Sequence, residues 1–283
     1  AEPVADCPVA VADRTAVPEP RPGSEPPAPA SWSPDDTALV LVETPGNPTL
    51  QLIDLRAVVE QAGSVPVLVD STFAPPVLQR PLDHGATLSL HSATKFLGGH
   101  GDVVGGVVST NESDWAERLR QVRVMTGALL HPMAAYLMHR SLPTLPTRVE
   151  RAQATAQTLA ERLDAHPALS TVHYPGLQAS PLLGTQMSGP GTMISFDVGD
   201  AETARRLLQH TDHITPAVSL GAVDSLLQHP ASLTHGVVDA EAREQSGITP
   251  GLLRLSVGLE DAEDLWTDLQ TALDAAVAVP ASH

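Results

Sequence analysis

The chain has 283 residues, of which 42% are hydrophobic, so it can bury a sizeable core and is not a globally disordered polypeptide. Its formal net charge of -17 repels phosphate backbones and anionic lipid surfaces, and we therefore expect neither a nucleic-acid partner nor a membrane. No apolar run reaches the length of a bilayer span, and the single cysteine, Cys7, has no second cysteine with which to form an internal disulfide. A reducing cytoplasm is the predicted location.

The first 36 residues differ in composition from the rest of the chain. They contain nine prolines, and proline removes backbone donors and interrupts regular structure. We therefore expect residues 1–36 to be largely extended or disordered, with one possible short strand at residues 7–12.

From residue 37 the pattern becomes that of an α/β protein. Apolar runs of strand length are predicted at 38–42, 66–69, 87–90, 103–108, 193–198 and 252–257. Helices are predicted from the apolar spacing at 52–62, 114–124, 132–142, 148–163 and 201–209, and in a final stretch after residue 260 that begins with acidic residues. The first four strands favour a mostly parallel sheet covered by helices, in a large domain at 37–150. A smaller C-terminal α+β domain is predicted at 151–283, with the boundary along the helix at 148–163.

Polar residues follow three of the predicted strands. Asn47 comes shortly after the first strand, Asp70 ends the second, and Ser92, Thr94 and Lys95 follow the third. Because ligands of parallel sheets bind beyond the carboxyl ends of the strands, we expect these side chains to share one site.

Lys95 is the only lysine among the 16 basic residues of the chain. Arginine cannot lose its proton and attack a carbonyl, whereas lysine can. With the hydroxyls of Ser92 and Thr94 and the glycines that follow, Lys95 favours a phosphate-bearing aldehyde bound as a Schiff base. The alternatives are a lysine kept by chance, a simple phosphate contact, or an ordinary strand-to-loop junction.

Two further charged residues fit such a site. Asp70 would balance the pyridine nitrogen of pyridoxal phosphate (PLP), or else be a turn or cap residue. Arg254 shares one face of its predicted strand with Ser256, which suits capture of an α-carboxylate, although a structural salt bridge is an equal alternative. No histidine has metal-ligand spacing, so we predict no metal site. His100 is the best histidine candidate for an active-site role, but packing in the core or in a loop is the simpler interpretation.

Residues 37–277 resemble the PLP-dependent Cys/Met-metabolism family, which includes cystathionine γ-synthase, cystathionine γ-lyase, methionine γ-lyase and the O-acylhomoserine sulfhydrylases. Six sequence blocks carry the resemblance, in the family's order: ETPGNP at 43–48, VDSTFA at 69–74, HSATKFLGGHGD with VVGG at 91–106, VSLG at 218–221, QHPAS with TH at 228–235, and RLSVGLED at 254–261.

The resemblance implies a fold-type I transferase-like architecture and a set of residue roles. Lys95 would form the internal aldimine and shuttle protons, and Asp70 would pair with the pyridinium. Ser92 and Thr94 would bind the phosphate, and Asn47 would contact the ring hydroxyl. Arg254 would hold the substrate carboxylate, assisted by the backbone around Ser219.

The chain departs from the family pattern before the ETPGNP block. The family's Tyr-x-Arg pair, its Gly-Met turn and its ring-stacking tyrosine have no counterpart here, so the PLP-binding domain at 37–150 is expected to be incomplete. Three explanations remain: one half of a split enzyme, a degenerate subunit bound to a catalytic homologue, or a fragment of a longer chain. A homo- or hetero-oligomer is expected, with a partner chain that supplies the missing segment.

Two functions are therefore predicted. The first is PLP-dependent β- or γ-elimination, or γ-replacement, on a sulfur-containing or O-acyl homoserine-type amino acid. Val218 stands where several cystathionine-processing members have an acidic residue, which leans towards methionine γ-lyase or sulfhydrylase chemistry. The second is a non-catalytic subunit, which the retention of Lys95, Asp70 and Arg254 disfavours, since a scaffold needs none of them.

Overall fold

A computed structural model describes residues 10–11, 37–234, 236, 239, 243 and 246–277 of the chain. It contains two five-stranded sheets. The strands of the first sheet precede a long helix in the sequence, and the strands of the second follow it. Most of the proline-rich segment lies outside the described residues, so the prediction for it is not tested there. Within it, residues 10–11 form a two-residue strand, in agreement with the short strand predicted at 7–12.

The first sheet is mostly parallel, as predicted. Its strands stand in chain order and are β1 (Ala10–Val11), β2 (Val40–Glu43), β3 (Val67–Asp70), β4 (Leu88–Ser92) and β5 (Gly106–Ser109). Only β5 is antiparallel to its neighbour. Strand β5 begins later than predicted. The carbonyl of Gly105 accepts from the amides of Ala93 and Thr94, so the backbone before β5 is bonded to the residues that follow β4.

Helix α1 (Leu55–Ala62) covers this sheet and also begins later than predicted. The side chain of Asp54 accepts from the amides of Arg56 and Ala57, so it caps the helix and excludes residues 52–54 from it. Gly63 ends the helix with a positive φ of 59°. The buried side chains of α1 pack on β2 and β3 in one apolar cluster.

Three further helices follow: α2 (Ser113–Thr126), α3 (Pro132–Ser141) and α4 (Leu145–Asp164). Helix α4 begins three residues before the predicted start, because Pro146 occupies its first turn, where a missing N–H costs nothing. One face of α4 packs on the second sheet. No described helix has the length and apolar character that a membrane span requires.

The second sheet is mostly antiparallel, which fits the predicted C-terminal α+β region. Its spatial order is β6 (Thr171–His173), β7 (Met193–Asp197), β10 (Leu252–Ser256), β9 (Leu226–Gln228) and β8 (Thr215–Pro216). Helices α5 (Ala201–Gln209) and α6 (Ala262–Val277) pack against it with α4. The division into domains at residue 150 stays a prediction.

Two buried glutamines connect the regions on either side of α4. The amide nitrogen of Gln186 donates to the side-chain oxygen of Gln79 over 3.0 Å. Gln79 in turn donates to the carbonyl of Thr44 and the hydroxyl of Ser71, each over 2.9 Å. Because Thr44 precedes Asn47 and Ser71 follows Asp70, this pair fixes the two loops that carry candidate site residues.

Candidate functional site

The candidate site lies where β2, β3 and β4 end, as the sequence predicts. Glu43 and Asp70, the last residues of β2 and β3, are register partners in parallel strands, and Asp70 is paired with Leu90 of β4. Because the three strands end at the same edge of the sheet, the loops after β2 and β4, which carry Asn47 and Lys95, lie at that edge.

Lys95 occupies a tight turn after β4. The amide of Gly98 donates to the carbonyl of Ala93 over 2.8 Å, and that of Gly99 donates to the carbonyl of Lys95 over 2.7 Å. The amine of Lys95 donates to the hydroxyl of Ser219 over 2.8 Å. Burial, and then the positive charge of Arg254, lower the pKa of the Lys95 amine below its usual range.

Ser219 joins the candidate base to the candidate carboxylate-binding residue. Its hydroxyl accepts from Lys95, and its carbonyl accepts from Nη2 of Arg254 over 3.0 Å. Its φ of 100° lies in the left-handed region that non-glycine residues rarely adopt. Backbone strain of this kind persists where the surrounding contacts determine the conformation, and it is common at functional sites.

Arg254 is 3% exposed and projects from β10, on the face that the alternation predicts. Its Nη1 donates to Oδ1 of Asn47 over 2.8 Å, and its Nη2 also donates to Gln228. Its guanidinium lies 5.6 Å from the ring centre of Phe73. Burial lowers the pKa of Arg254 to about 10, although the negative charge of Glu43 opposes the shift.

The Nε atom of Arg254 is buried, and none of the residues that the structure describes accepts a hydrogen bond from it. A buried donor without an acceptor is costly, so an orphaned Nε fits a site that receives an anion when it is filled. Asn47, Gln228 and the carbonyl of Ser219 are neutral acceptors, so they orient the guanidinium of Arg254 without neutralising its charge.

The hydrogen bonds of Asp70 agree with the turn interpretation, and its pairing with a ring nitrogen stays a prediction. Its Oδ1 accepts from the amide of Thr72 over 2.9 Å and from the hydroxyl of Thr72 over 2.6 Å, as in a turn residue. Among the described residues no other group donates a hydrogen bond to it, so Oδ2 is available to a cationic ring nitrogen. The same Thr72 hydroxyl accepts from the amide of Ser92 over 2.8 Å, which ties Asp70 to the end of β4.

The two predicted phosphate ligands differ in their surroundings. The hydroxyl of Ser92 has no hydrogen-bond partner among the described residues, which leaves it available to a ligand. The hydroxyl of Thr94 accepts from the amide of Gly105 over 3.1 Å and donates to its carbonyl over 3.4 Å. Phosphate binding by Ser92 and Thr94 stays a prediction.

His91 and His100 lie close to these residues. His91 is buried on β4, and its burial lowers its pKa, while the charge of Asp70 and a hydrogen bond to the backbone of Ser71 oppose the shift. The exposed ring of His100 is 2.9 Å from the carbonyl of Gly98, which agrees with the loop-packing interpretation. No cluster of potential metal ligands occurs within the described ranges.

Two contributors to the site had no predicted role. Gln228 accepts from Arg254 and donates to the hydroxyl of Thr234 over 2.7 Å, so it holds the guanidinium from β9. Thr72 bridges Asp70 and Ser92. Both lie in sequence blocks that carry the family resemblance, and Gln228 has a second signal, since it is a polar residue directly after two buried leucines.

The chain is similar to known proteins of one enzyme family. The model of a family described as "Cys/Met metabolism PLP-dependent enzyme" matches residues 24–274. An L-methionine gamma-lyase of Brevibacterium aurantiacum is 60% identical over 250 residues, which cover 87% of this chain and 60% of the relative. A cystathionine beta-lyase of Lactococcus lactis subsp. cremoris is 42% identical, with 85% of this chain and 64% of the relative covered.

A solved structure shows the same fold. The cystathionine gamma synthase of Xanthomonas oryzae pv. oryzae, in complex with cystathionine, superposes with a TM-score of 0.82 at 44% identity. The match covers 86% of this chain and 64% of that structure. The fold-type I α/β architecture predicted from the sequence is therefore confirmed, and the chain spans about three fifths of the length of the relatives it matches.

Proposed function

The chain belongs to the family of PLP-dependent enzymes of Cys/Met metabolism, and from this we propose that it holds PLP at Lys95 and takes part in elimination or replacement on a sulfur-containing or O-acyl homoserine-type amino acid. The observation that carries the proposal is the contact of one residue, Ser219, with both the amine of Lys95 and the guanidinium of Arg254. These are the two groups that an amino-acid substrate on this cofactor needs.

The side chains at the site fit PLP. Lys95 offers an amine of lowered pKa, Asp70 offers a carboxylate oxygen, and Ser92 offers a hydroxyl that no described residue hydrogen-bonds. When bound, PLP stores the negative charge that forms on the substrate α-carbon. Asp70 would hold the ring nitrogen in its protonated form, while Ser92 and Thr94 would hold the phosphate and Asn47 the ring hydroxyl.

Lys95 is the residue to which we assign proton transfer. A lowered pKa raises the fraction of neutral amine near neutral pH, and only the neutral amine can bond to an aldehyde or accept a proton at Nζ. The hydroxyl of Ser219 orients Nζ, so the proton is taken up at a fixed position.

Arg254 is the residue to which we assign the substrate α-carboxylate. Its Nη atoms already donate to Asn47, Gln228 and the Ser219 carbonyl, which immobilises the guanidinium plane. The orphaned Nε would gain an acceptor when the carboxylate arrives. Because the anion adds to a fixed cation, little reorganisation is needed on binding.

The side chain of Val218 favours a thioether substrate. It is 53% exposed and directly precedes Ser219, so an uncharged apolar group stands next to the residue that joins Lys95 and Arg254. The 60% identical relative is named L-methionine gamma-lyase, and the 42% identical relative is named cystathionine beta-lyase. We therefore favour γ-elimination from a methionine-like substrate.

We also propose a cytoplasmic protein whose site is completed in an oligomer, by a second copy or by another polypeptide. Support comes from α2, which has no buried residue, and from exposed apolar side chains on it and before β5. Val124 and Met125 of α2 are 71% and 86% exposed, Val104 is 84% exposed, and exposed apolar side chains of this kind are typical of a protein interface.

The experiment is covalent trapping of the cofactor. The full chain, alone and with any co-purifying polypeptide, is incubated with PLP, reduced with borohydride and analysed by peptide mass. We expect a visible absorption band before reduction and a phosphopyridoxyl mass on the peptide that contains Lys95 after it, both absent from K95R, which keeps the positive charge. A wild-type protein that stays colourless and unlabelled under both conditions would support the non-catalytic subunit instead.

A further inference from the structure

A buried arginine stands directly behind the turn that carries Lys95. Arg148 lies in the first turns of α4, is 8% exposed and belongs to none of the sequence blocks that resemble the family. Its Nη1 donates over 3.0 Å to the carbonyl of Phe96, the residue after Lys95. A cation from a distant helix thus contacts the backbone next to the proposed reactive amine.

The remaining donors of Arg148 bind the segment just before α4. Nε donates to the hydroxyl of Thr144 over 3.1 Å, and Nη2 donates to the carbonyl and hydroxyl of Ser141 over 3.2 and 2.9 Å. All four acceptors are neutral, and within the described part of the chain Arg148 forms no ion pair. Burial lowers its pKa. A buried cation is tolerated when several hydrogen bonds satisfy it, so its geometry is closely fixed.

Gly99, at the other end of the turn, allows the guanidinium of Arg148 to approach the backbone closely. Its φ is 72°, and a Cβ atom at this position would lie only 2.2 Å from Nη1 of Arg148. Glycine is therefore required here both for the backbone conformation and for the close approach of the arginine.

The turn also packs on the loop that contains Ser219. A Cβ atom on Gly221 would lie 2.8 Å from the backbone nitrogen of Phe96, and the amide of Val223 donates to the carbonyl of Gly99 over 3.0 Å. The turn is thus held both by Arg148 and by residues 219–223. Loss of either set of contacts would let the backbone at Lys95 move.

We propose that Arg148 is a positioning residue for Lys95, which fixes the turn at residues 95–99 through the Phe96 carbonyl and so holds the amine at Ser219. The inference rests on the proposed function, since it assigns Arg148 to the chemistry of that amine. Arg148 acts through the main chain, because the cation whose charge shifts the pKa of Lys95 is Arg254.

The test compares R148M with R151M in the full chain. Arg151 lies on the same helix with a half-exposed side chain, and its acidic neighbour Asp261 is 3.9 Å away, so R151M removes an arginine without touching the turn. The first readout is the rate at which the cofactor-free protein is labelled by PLP at Lys95, measured by borohydride trapping over a range of pH.

We expect R148M to slow labelling about 10- to 100-fold, because small displacements of a reacting group have effects of this size. We also expect its pH profile to move to higher pH, because a displaced amine is better solvated and its pKa rises. Once PLP is bound, kcat per bound cofactor should fall while KM stays within about twofold, since Arg254 is untouched. R151M should match the wild type in all of these.

The outcomes separate this inference from the function on which it rests. If the wild type is never labelled, the proposed function fails. If the wild type is labelled and R148M has the same rate and pH profile, the positioning role is overturned. Should R148M not fold, R148K and the S141A/T144A double variant decide: slower labelling supports the role, and wild-type labelling in both contradicts it.

Discussion

The amine of Lys95 donates to the hydroxyl of Ser219 over 2.8 Å, although the two residues are 124 positions apart in the sequence. The carbonyl of the same serine holds Arg254. One residue with a left-handed backbone therefore sets the spacing between the proposed proton carrier and the proposed carboxylate site.

The first prediction concerns that serine. S219A and S219G both remove the hydroxyl that orients Lys95, so we expect kcat to fall about 10-fold in each, the value of one hydrogen bond to a charged or reactive group. S219G should be more stable than S219A by about 1 kcal/mol, because glycine adopts a φ of 100° without strain. Steady-state kinetics and urea unfolding measure the two effects. Equal stability of the two variants would contradict the strain, and unchanged kcat would contradict the orienting role.

The second prediction separates the charge of Arg254 from its geometry. R254K and R254M should both raise KM about 100-fold for a substrate with an α-carboxylate, because neither keeps the fixed guanidinium. Capture of PLP needs neutral Lys95, so its rate rises with pH through the pKa of that amine. After burial, the charge of Arg254 is the cause that lowers this pKa. R254M should therefore shift the pH profile of capture upwards, whereas R254K should leave it in place. A downward shift in R254M would refute the assignment.

The third prediction concerns the carboxylate at the end of β3. D70N keeps the shape of the side chain and its bonds to Thr72 but removes the charge that would balance the ring nitrogen, so we expect kcat to fall at least about 100-fold. T72V loses both hydrogen bonds of the Thr72 hydroxyl, the one to Asp70 and the one from the amide of Ser92, but it keeps the charge of Asp70, so it should lower kcat by about 10-fold or less. If D70N retained more activity than T72V, Asp70 would be a turn residue alone.

The fourth prediction concerns stability away from the site. The carboxylate of Asp268 on α6 accepts from the amides of Asp212, His213 and Ile214 over 2.8 to 3.1 Å. D268A leaves these donors without an acceptor and should lower the free energy of unfolding by about 2–4 kcal/mol. Asp274 is exposed on the same helix, so D274A is the control and should change the free energy of unfolding by less than about 0.5 kcal/mol. Chemical denaturation measures both variants, and kcat per bound cofactor should stay unchanged.

The site's outline was predictable because two periodic rules apply to it. Parallel strands end at one edge of a sheet, which brought together the loops of Asn47, Asp70 and Lys95. Alternation along a strand placed Arg254 and Ser256 on one face, opposite the leucines that enter the core. The short strands β6, β8 and β9 were missed, because two or three residues are too few to show a period.

The contacts that complete the site were not predictable from local pattern. Arg148 appeared as the first residue of a predicted helix, and its contact with Phe96 is set by packing between segments 52 residues apart. The pairing of Lys95 with Ser219 and of Arg254 with Asn47 depends likewise on how the two sheets meet. Spacing within one segment carries no information about such contacts.

The distance in sequence between Lys95 and Ser219 has a consequence for synthesis. A ribosome that adds about 5–20 residues per second needs on the order of 6–25 s to make the intervening 124 residues. During that interval the nascent chain has neither Ser219 nor Arg254 to bury and orient the amine, so Lys95 is an ordinary solvated, protonated lysine. We therefore expect Lys95 to become reactive towards aldehydes only after β10 has been synthesised and has docked.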